Sequence, residues 1–212
     1  MRLDFRGFVA GDTTTPVVAG TTFMVHVAIV DEHSNIVPTA SGTITLTLLP
    51  DSGLYGTTTA ATSQGEATFP DVNVHLARKY FMIASADGFA PDTSNKFAIT
   101  FGPSTQLIFE NTPVHAVAGK EITDIYLDER DAYGNERTLL GESIIDFRDS
   151  VHVTLGANPT GARLTGHTWQ PFVNGFDFGD LVISKPGKGY TLVVHHPTIG
   201  NVTSKPFDVY AQ

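Results

Sequence analysis

The chain has 212 residues, 41% of them hydrophobic and 17% charged, with 20 Gly and 12 Pro; this describes one or two globular domains and excludes a disordered or low-complexity chain. A formal net charge of −9 repels phosphate backbones and anionic lipid, so neither nucleic acid nor a membrane is an expected partner. Cysteine is absent, which removes disulfides, thiolate metal sites and cysteine nucleophiles together.

Strand patterning begins at the N terminus. Met1-Arg-Leu-Asp-Phe-Arg6 has no hydrophobic segment of signal-peptide type behind it, so any secretion signal is expected outside these residues, and no run approaches the roughly 18 apolar residues of a membrane-spanning helix. Period-two alternation is plain in Phe23-Met-Val-His-Val-Ala-Ile-Val30, Thr43-Ile-Thr-Leu-Thr-Leu48 and Tyr80-Phe-Met-Ile-Ala-Ser85, each bounded by Gly, Pro, Asp or Asn. Strands are expected near 2–8, 15–19, 21–31, 41–49, 56–61, 65–75, 79–86 and 94–101. Gly and Pro in Phe101-Gly-Pro-Ser104 punctuate a boundary, after which strands are expected near 105–111, 120–131, 150–156, 161–168, 172–183, 189–195 and 202–210. The single helix candidate is Gly141-Glu-Ser-Ile-Ile-Asp-Phe-Arg-Asp149, inside an insertion near 139–150.

The second half repeats the first. Gly65, Phe69, Asp71, Val72, Val74, Tyr80, Ser94 and Phe97 recur as Gly175, Phe178, Asp180, Leu181, Ile183, Tyr190, Ser204 and Phe207, at an offset of 109 or 110. Ala19-Gly20 recurs as Ala118-Gly119, and Asp31-Glu-His-Ser-Asn35 as Asp131-Ala-Tyr-Gly-Asn135. A period of about 100 residues is the size of a whole small domain. The expectation is therefore an all-β chain of two tandem immunoglobulin-like β-sandwich domains, 1–102 and 103–212.

These motifs resemble the Ig-like repeats of large bacterial surface proteins and adhesins, and more distantly filamin-type rod repeats, which share the Asp-x-x-Gly-Asn turn and the Pro206-Phe207 pair. The resemblance spans almost the whole chain and is best in the second half, with Phe178-Gly-Asp-Leu181 and Gly187-Lys-Gly-Tyr-Thr-Leu192; the first half departs from it at Ser34, Arg78 and Lys79. It implies spacers and docking surfaces rather than chemistry. Some such adhesin domains carry a Lys to Asn/Asp isopeptide bond. Here that bond would join Lys120 to Asp208, but Asp208 alternates with Phe207 and Val209 toward solvent and its first-half match is Ala98, so it is not expected.

Most of the repeated residues have a structural reading. Tyr80 and Tyr190 occupy the tyrosine-corner position, and Phe97 and Phe207 point inward with Ile99 and Val209. Asp31/Asn35 and Asp131/Asn135 bracket turns. Asp128, Asp131, Asn135 and Glu136 are calcium candidates by oxygen-ligand type, although strand alternation sets Asp128 and Asp131 on opposite faces. Trp169, the only tryptophan, with Tyr133 is a candidate glycan platform, weighed against partial burial at a strand start. His195-His196 is the only adjacent pair among 8 His, and reads as a solvated strand end with diverging rings rather than a zinc site. Asn201-Val-Thr203 is a glycosylation sequon.

No nucleophile, phosphate-loop or dinucleotide motif is present, so no catalytic residue and no cofactor are assigned. The expected function is a non-enzymatic structural or adhesive module of a larger extracellular or cell-surface assembly, whose partners are protein domains of the same or neighbouring surface proteins, and glycans. The alternative is a carbohydrate-binding or accessory module of a secreted enzyme.

Overall fold

The computed structural model describes residues 1–6, 15–137 and 144–212. The chain divides into two compact units, Met1–Gly102 and Pro103–Gln212, and the regular elements among the described residues are all β-strands. No helix among them is long and apolar enough to cross a membrane.

The first unit contains β1 (Arg2–Phe5), β2 (Val17–Val18), β3 (Phe23–Val30), β4 (Thr43–Leu49), β5 (Leu54–Tyr55), β6 (Thr59–Ala61), β7 (Glu66–Val74), β8 (Lys79–Ser85), β9 (Asp92–Thr93) and β10 (Phe97–Thr100). They form two sheets, β1-β3-β7-β5 and β2-β10-β8-β4-β6, with β9 paired to β8. Alternation explains the layering: in β4, Ile44, Leu46 and Leu48 are buried while Thr43, Thr47 and Leu49 are exposed. The inward faces meet in one core that includes Leu3, Val25, Phe69, Tyr80, Met82, Phe97 and Ile99.

The second unit contains β11 (Ser104–Asn111), β12 (His115–Val117), β13 (Glu121–Ile122), β14 (Ile125–Asp131), β15 (Ile145–Leu155), β16 (Leu164–Thr165), β17 (Trp169–Val173), β18 (Phe176–Phe178), β19 (Leu181–Ile183), β20 (Gly187–Tyr190), β21 (Leu192–His196), β22 (Gly200–Thr203) and β23 (Phe207–Tyr210). The pairings repeat those of the first unit in shorter pieces, β11-β14-β18, β13-β19-β16, β12-β23-β20 and β17-β15-β21-β22. The core again gathers Ile125, Leu127, Phe178, Tyr190, Leu192 and Phe207.

The repeated residues hold the fold in matching ways. Tyr80 donates its hydroxyl to the Leu76 carbonyl at 3.0 Å, and Tyr190 donates to the Lys185 carbonyl at 3.0 Å. Burial pushes the Tyr80 phenol up to about 12, with the negative Asp51 adding to the shift. Ser94 Oγ accepts from Met82 N at 2.9 Å, as Ser204 Oγ does from Leu192 N at 2.9 Å. Asp71 accepts from Thr57 N at 2.8 Å and Asp180 from His167 N at 3.0 Å; hydrogen bonding from the Thr57 side chain and amide holds the first carboxyl below the usual range, and from the His167 amide and ring the second. The preceding Gly56 and Gly166 have φ of 86° and 106°, and a Cβ on either would strike the carbonyl of that aspartate. Asp208, half-buried, accepts from Gly189 N at 3.0 Å, while Lys120 is exposed.

Register locates the slips between the units. The offset grows from 99 at Phe23 and Ile122 to 100 at Val25 and Ile125; the extra residue interrupts the strand between β13 and β14, where Asp124 takes φ 63°. It reaches 107 at Ile44 and Val151, and the second unit thus carries seven more residues between Arg137 and Val151. Another enters inside the tyrosine corner, whose hydrogen bond spans four residues in the first unit and five in the second.

Two expectations are corrected. Of the helix candidate 141–149, residues 141–143 lie outside the described residues, and Ile145–Asp149 belongs to β15, where Ile145 and Asp146 pair with Val173 and Phe172. Ladder bonding to β17 overrides any helical pattern there. The continuous strand expected at 172–183 is instead three pieces broken at Asn174-Gly175 and Gly179-Asp180. Asn174 and Gly175 take φ of 53° and 117°, a left-handed pair that turns the chain sharply from β17 in one sheet to β18 in the other.

Candidate functional site

The turn after β14 uses the strongest calcium ligand internally. Asp131 Oδ1 accepts from Tyr133 N at 2.8 Å and Asn135 N at 2.9 Å, and Oδ2 accepts from Asn135 Nδ2 at 2.8 Å. Asp31 makes the same bonds to His33 N, Asn35 N and Asn35 Nδ2, which hold its carboxyl below the usual range. Ser34 and Gly134 occupy the left-handed position of the two turns. Tyr133 sits in this turn, whereas Trp169 stands at the start of β17 against His152.

Glu136 pairs with Arg130 at 3.0 Å, and Arg130 also holds Glu110 at 2.8 Å. Asp128 is buried beside them and accepts from Glu129 N at 2.8 Å. Burial raises its carboxyl to about 6, outweighing the amide bond that lowers it. A folded pKa above the unfolded value means that the native state holds this proton longer, so stability falls as pH rises from about 4 to about 6. Asp128→Asn, whose carbonyl still accepts the amide, is expected to stabilise the second unit by roughly 1–2 kcal/mol at pH 7 and by little at pH 4. Urea titrations at the two pH values check this; an equal effect at both would remove the protonation argument.

The most chemically loaded place in the chain is on the other face of β14. Glu129, Arg137, Asp149 of β15 and His196 of β21 meet at one corner of the second sandwich. Glu129 is 1% exposed. Arg137 pairs with Glu129 Oε2 at 3.0 Å, with Asp146 at 3.0 Å and with Asp149, and its guanidinium lies 4.3 Å from the Phe172 ring centroid. His196 Nε2 is 2.7 Å from Asp149 Oδ1. Its Nδ1 receives the amides of Thr198 at 3.2 Å and Ile199 at 3.0 Å, which fixes the ring as the Nε2–H tautomer. Burial raises the Asp149 carboxyl, but its bonds to Arg137 and His196 prevail and hold it below the usual range.

Glu129, Asp149 and His196 place one possible ligand atom each within 4.8 Å of one another. The hydrogen bonds work against a metal. The Nε2 lone pair is replaced by a proton, moving that proton to Nδ1 would set it against two amide donors, and Arg137 already supplies the positive charge. The arrangement is a buried ion network. Glu129 Oε1, 3.2 Å from His196 Nε2, has no hydrogen-bond partner among the described residues.

The first unit fills the same corner with apolar groups. Register aligns Ile29 with Glu129, Val37 with Arg137, Gly42 with Asp149 and Ala86 with His196 as equivalent positions of the two units. Phe89 lies over Gly42 there, against Ile29. The sequence reading missed this network, and its solvated strand end is corrected for His196, which is buried while His195 faces outward. The four residues share no motif and lie on separate elements; the available signal was charge at aligned positions that are apolar in the other unit.

No protein-family model matches the chain, and no curated protein sequence matches it. Among solved structures, the chain is similar to FdeC, an Escherichia coli adhesin, with 15% identity and a TM-score of 0.45 over 99% of this chain and 64% of that one. It is also similar to the D0-D1 domain of intimin, with 14% identity and a TM-score of 0.34 over 98% of this chain and 97% of that one. Domains 5-6 of the S-layer protein SbsC show 16% identity and a TM-score of 0.32 over 100% of this chain and 98% of that one. The chain thus spans 64% of the length of the FdeC structure.

Proposed function

We propose that this chain is a non-catalytic structural and adhesive module of a larger extracellular or cell-surface assembly, in which each unit transmits tension. The observation that supports this most is the parallel pairing of the second strand of each unit with its last. In the first unit β2 runs parallel to β10, with Val17 opposite Ile99 and Val18 opposite Thr100, and Ala19 N donates to the Thr100 carbonyl at 2.8 Å. In the second, β12 runs parallel to β23, with His115, Ala116 and Val117 opposite Asp208, Val209 and Tyr210, and Ala118 N donates to the Tyr210 carbonyl at 2.8 Å. Parallel strands pulled from opposite ends slide along one another, so their hydrogen bonds are loaded together rather than opened one by one. Such an arrangement resists extension and has no need of a reactive group.

Stretching single molecules through their termini tests the reading. Two separate unfolding events are expected, each releasing about 350 Å of chain for roughly 100 residues. Ala118→Pro removes the amide that bonds Tyr210 and should lower the force of one event only. Extension without a resolvable force peak would overturn the proposal.

A further inference from the structure

The outer face of the sheet β17-β15-β21-β22 carries a row that the fold does not require. Register sets Trp169 opposite His152, His152 opposite His195, and His195 opposite Asn201, so four strands contribute one side chain each to a single line across the sheet. The rings stack: Trp169 on His152 at 4.6 Å and 22°, and His152 on His195 at 6.2 Å and 27°. His195 is fixed at both nitrogens, by Asn201 Oδ1 at 3.0 Å and Thr154 Oγ1 at 2.9 Å. Trp169, on the edge strand, is 64% exposed. One face of its indole is covered by His152 and most of the residue remains exposed, so the ring is held without being buried.

Folding does not account for the row. In the first unit the matching positions are Thr59, Thr45 and Ser85, on strands paired in the same register. Flanking positions on the same face are Ser150, Thr154, Pro171, Val193 and Thr203, none of them charged, in a chain of net charge −9. At a strand spacing of about 4.8 Å the row spans roughly 14 Å and is one side chain wide, a footprint well short of the roughly 800 Å² per partner of a stable protein interface.

The geometry points to this row as a binding site for a neutral hexose oligosaccharide. A pyranose ring presents an apolar face to the exposed indole, and its hydroxyls meet the polar atoms of His152, Asn201 and Thr154. An anionic ligand is opposed by the charge of the chain, and a protein partner by the size of the row. The site adds a ligand to the adhesive role and does not depend on the tension-bearing one, because it is read on the free protein without load.

Trp169 is the only tryptophan, so its emission reports on this place alone. Titration of the purified chain with gluco-, manno-, galacto- and N-acetylglucosamine oligosaccharides is expected to give a saturable blue shift with at least one of them, at roughly millimolar to micromolar dissociation constants. By calorimetry, Trp169→Ala should bind that sugar at least about tenfold more weakly, Trp169→Phe should retain most of the binding, and Thr59→Ala should leave it unchanged. Because Trp169 is exposed, urea unfolding of all three variants should match the parent chain. Absence of a saturable shift with all four sugar classes would overturn the site, as would binding that survives Trp169→Ala.

Discussion

Arg137→Ala is expected to cost the second unit about 3–5 kcal/mol, a large part of the stability of one small domain. The loss comes less from the missing attraction than from what stays behind. Glu129 and Asp149 would remain close together in the corner with only His196 between them, and Glu129 Oε1 has no hydrogen-bond partner among the described residues. Exchanging the four residues for their first-unit counterparts, Glu129→Ile, Arg137→Val, Asp149→Gly and His196→Ala together, should be close to neutral or stabilising, since apolar packing replaces the whole desolvated set. Urea unfolding at pH 7 reads both variants. A loss below about 1 kcal/mol for Arg137→Ala would mean that solvent screens the network. The depressed Asp149 carboxyl adds a sign: its contribution is present above the unfolded carboxylate pKa and is lost as pH falls through the folded one, so the parent second unit should weaken in acid while the fourfold variant does so less.

Phe97→Ala and Phe207→Ala should each cost about 3–5 kcal/mol, and each in one unit only. Phe97 is 1% exposed, 5.9 Å from Tyr80 and 6.2 Å edge-on from Phe23; Phe207 is 3% exposed and 6.4 Å from Tyr190. Truncation removes a ring from the closing strand of the sandwich and leaves a cavity beside the tyrosine corner, which rigid strands cannot collapse to fill. Denaturation of either variant should show one transition shifted and the other kept. A loss under about 1 kcal/mol at either position would contradict the core packing.

The framework was legible because it is written twice: Tyr80 and Tyr190, Ser94 and Ser204, and Asp71 and Asp180 each recur with the same hydrogen bond, so the repeat itself marks what the fold consumes. What occurs once was harder to read. Asn174-Gly175 is a strong local turn signal, yet the apolar run on either side masked it as a single strand. The ion network needed long-range register, because seven inserted residues separate the numbering of β15 from that of β4. Trp169 was visible as a lone aromatic, but His152 and His195 became its neighbours only once the ladder across β17, β15 and β21 was drawn.

The polar corner of the second unit has a consequence for how neighbouring copies stay apart. Tandem domains of one ancestry invite strand exchange while they fold, because each can offer the other a nearly matching strand. If β14 took the place of β3, Glu129 would enter the position of Ile29, beside Gly42 and Phe89, and leave Asp149 and His196 behind in its own unit. The reverse exchange would leave Asp149 and His196 facing an isoleucine. Strand exchange between the units is therefore expected to carry the solvation cost of a stranded charge, which works against it inside an otherwise shared architecture.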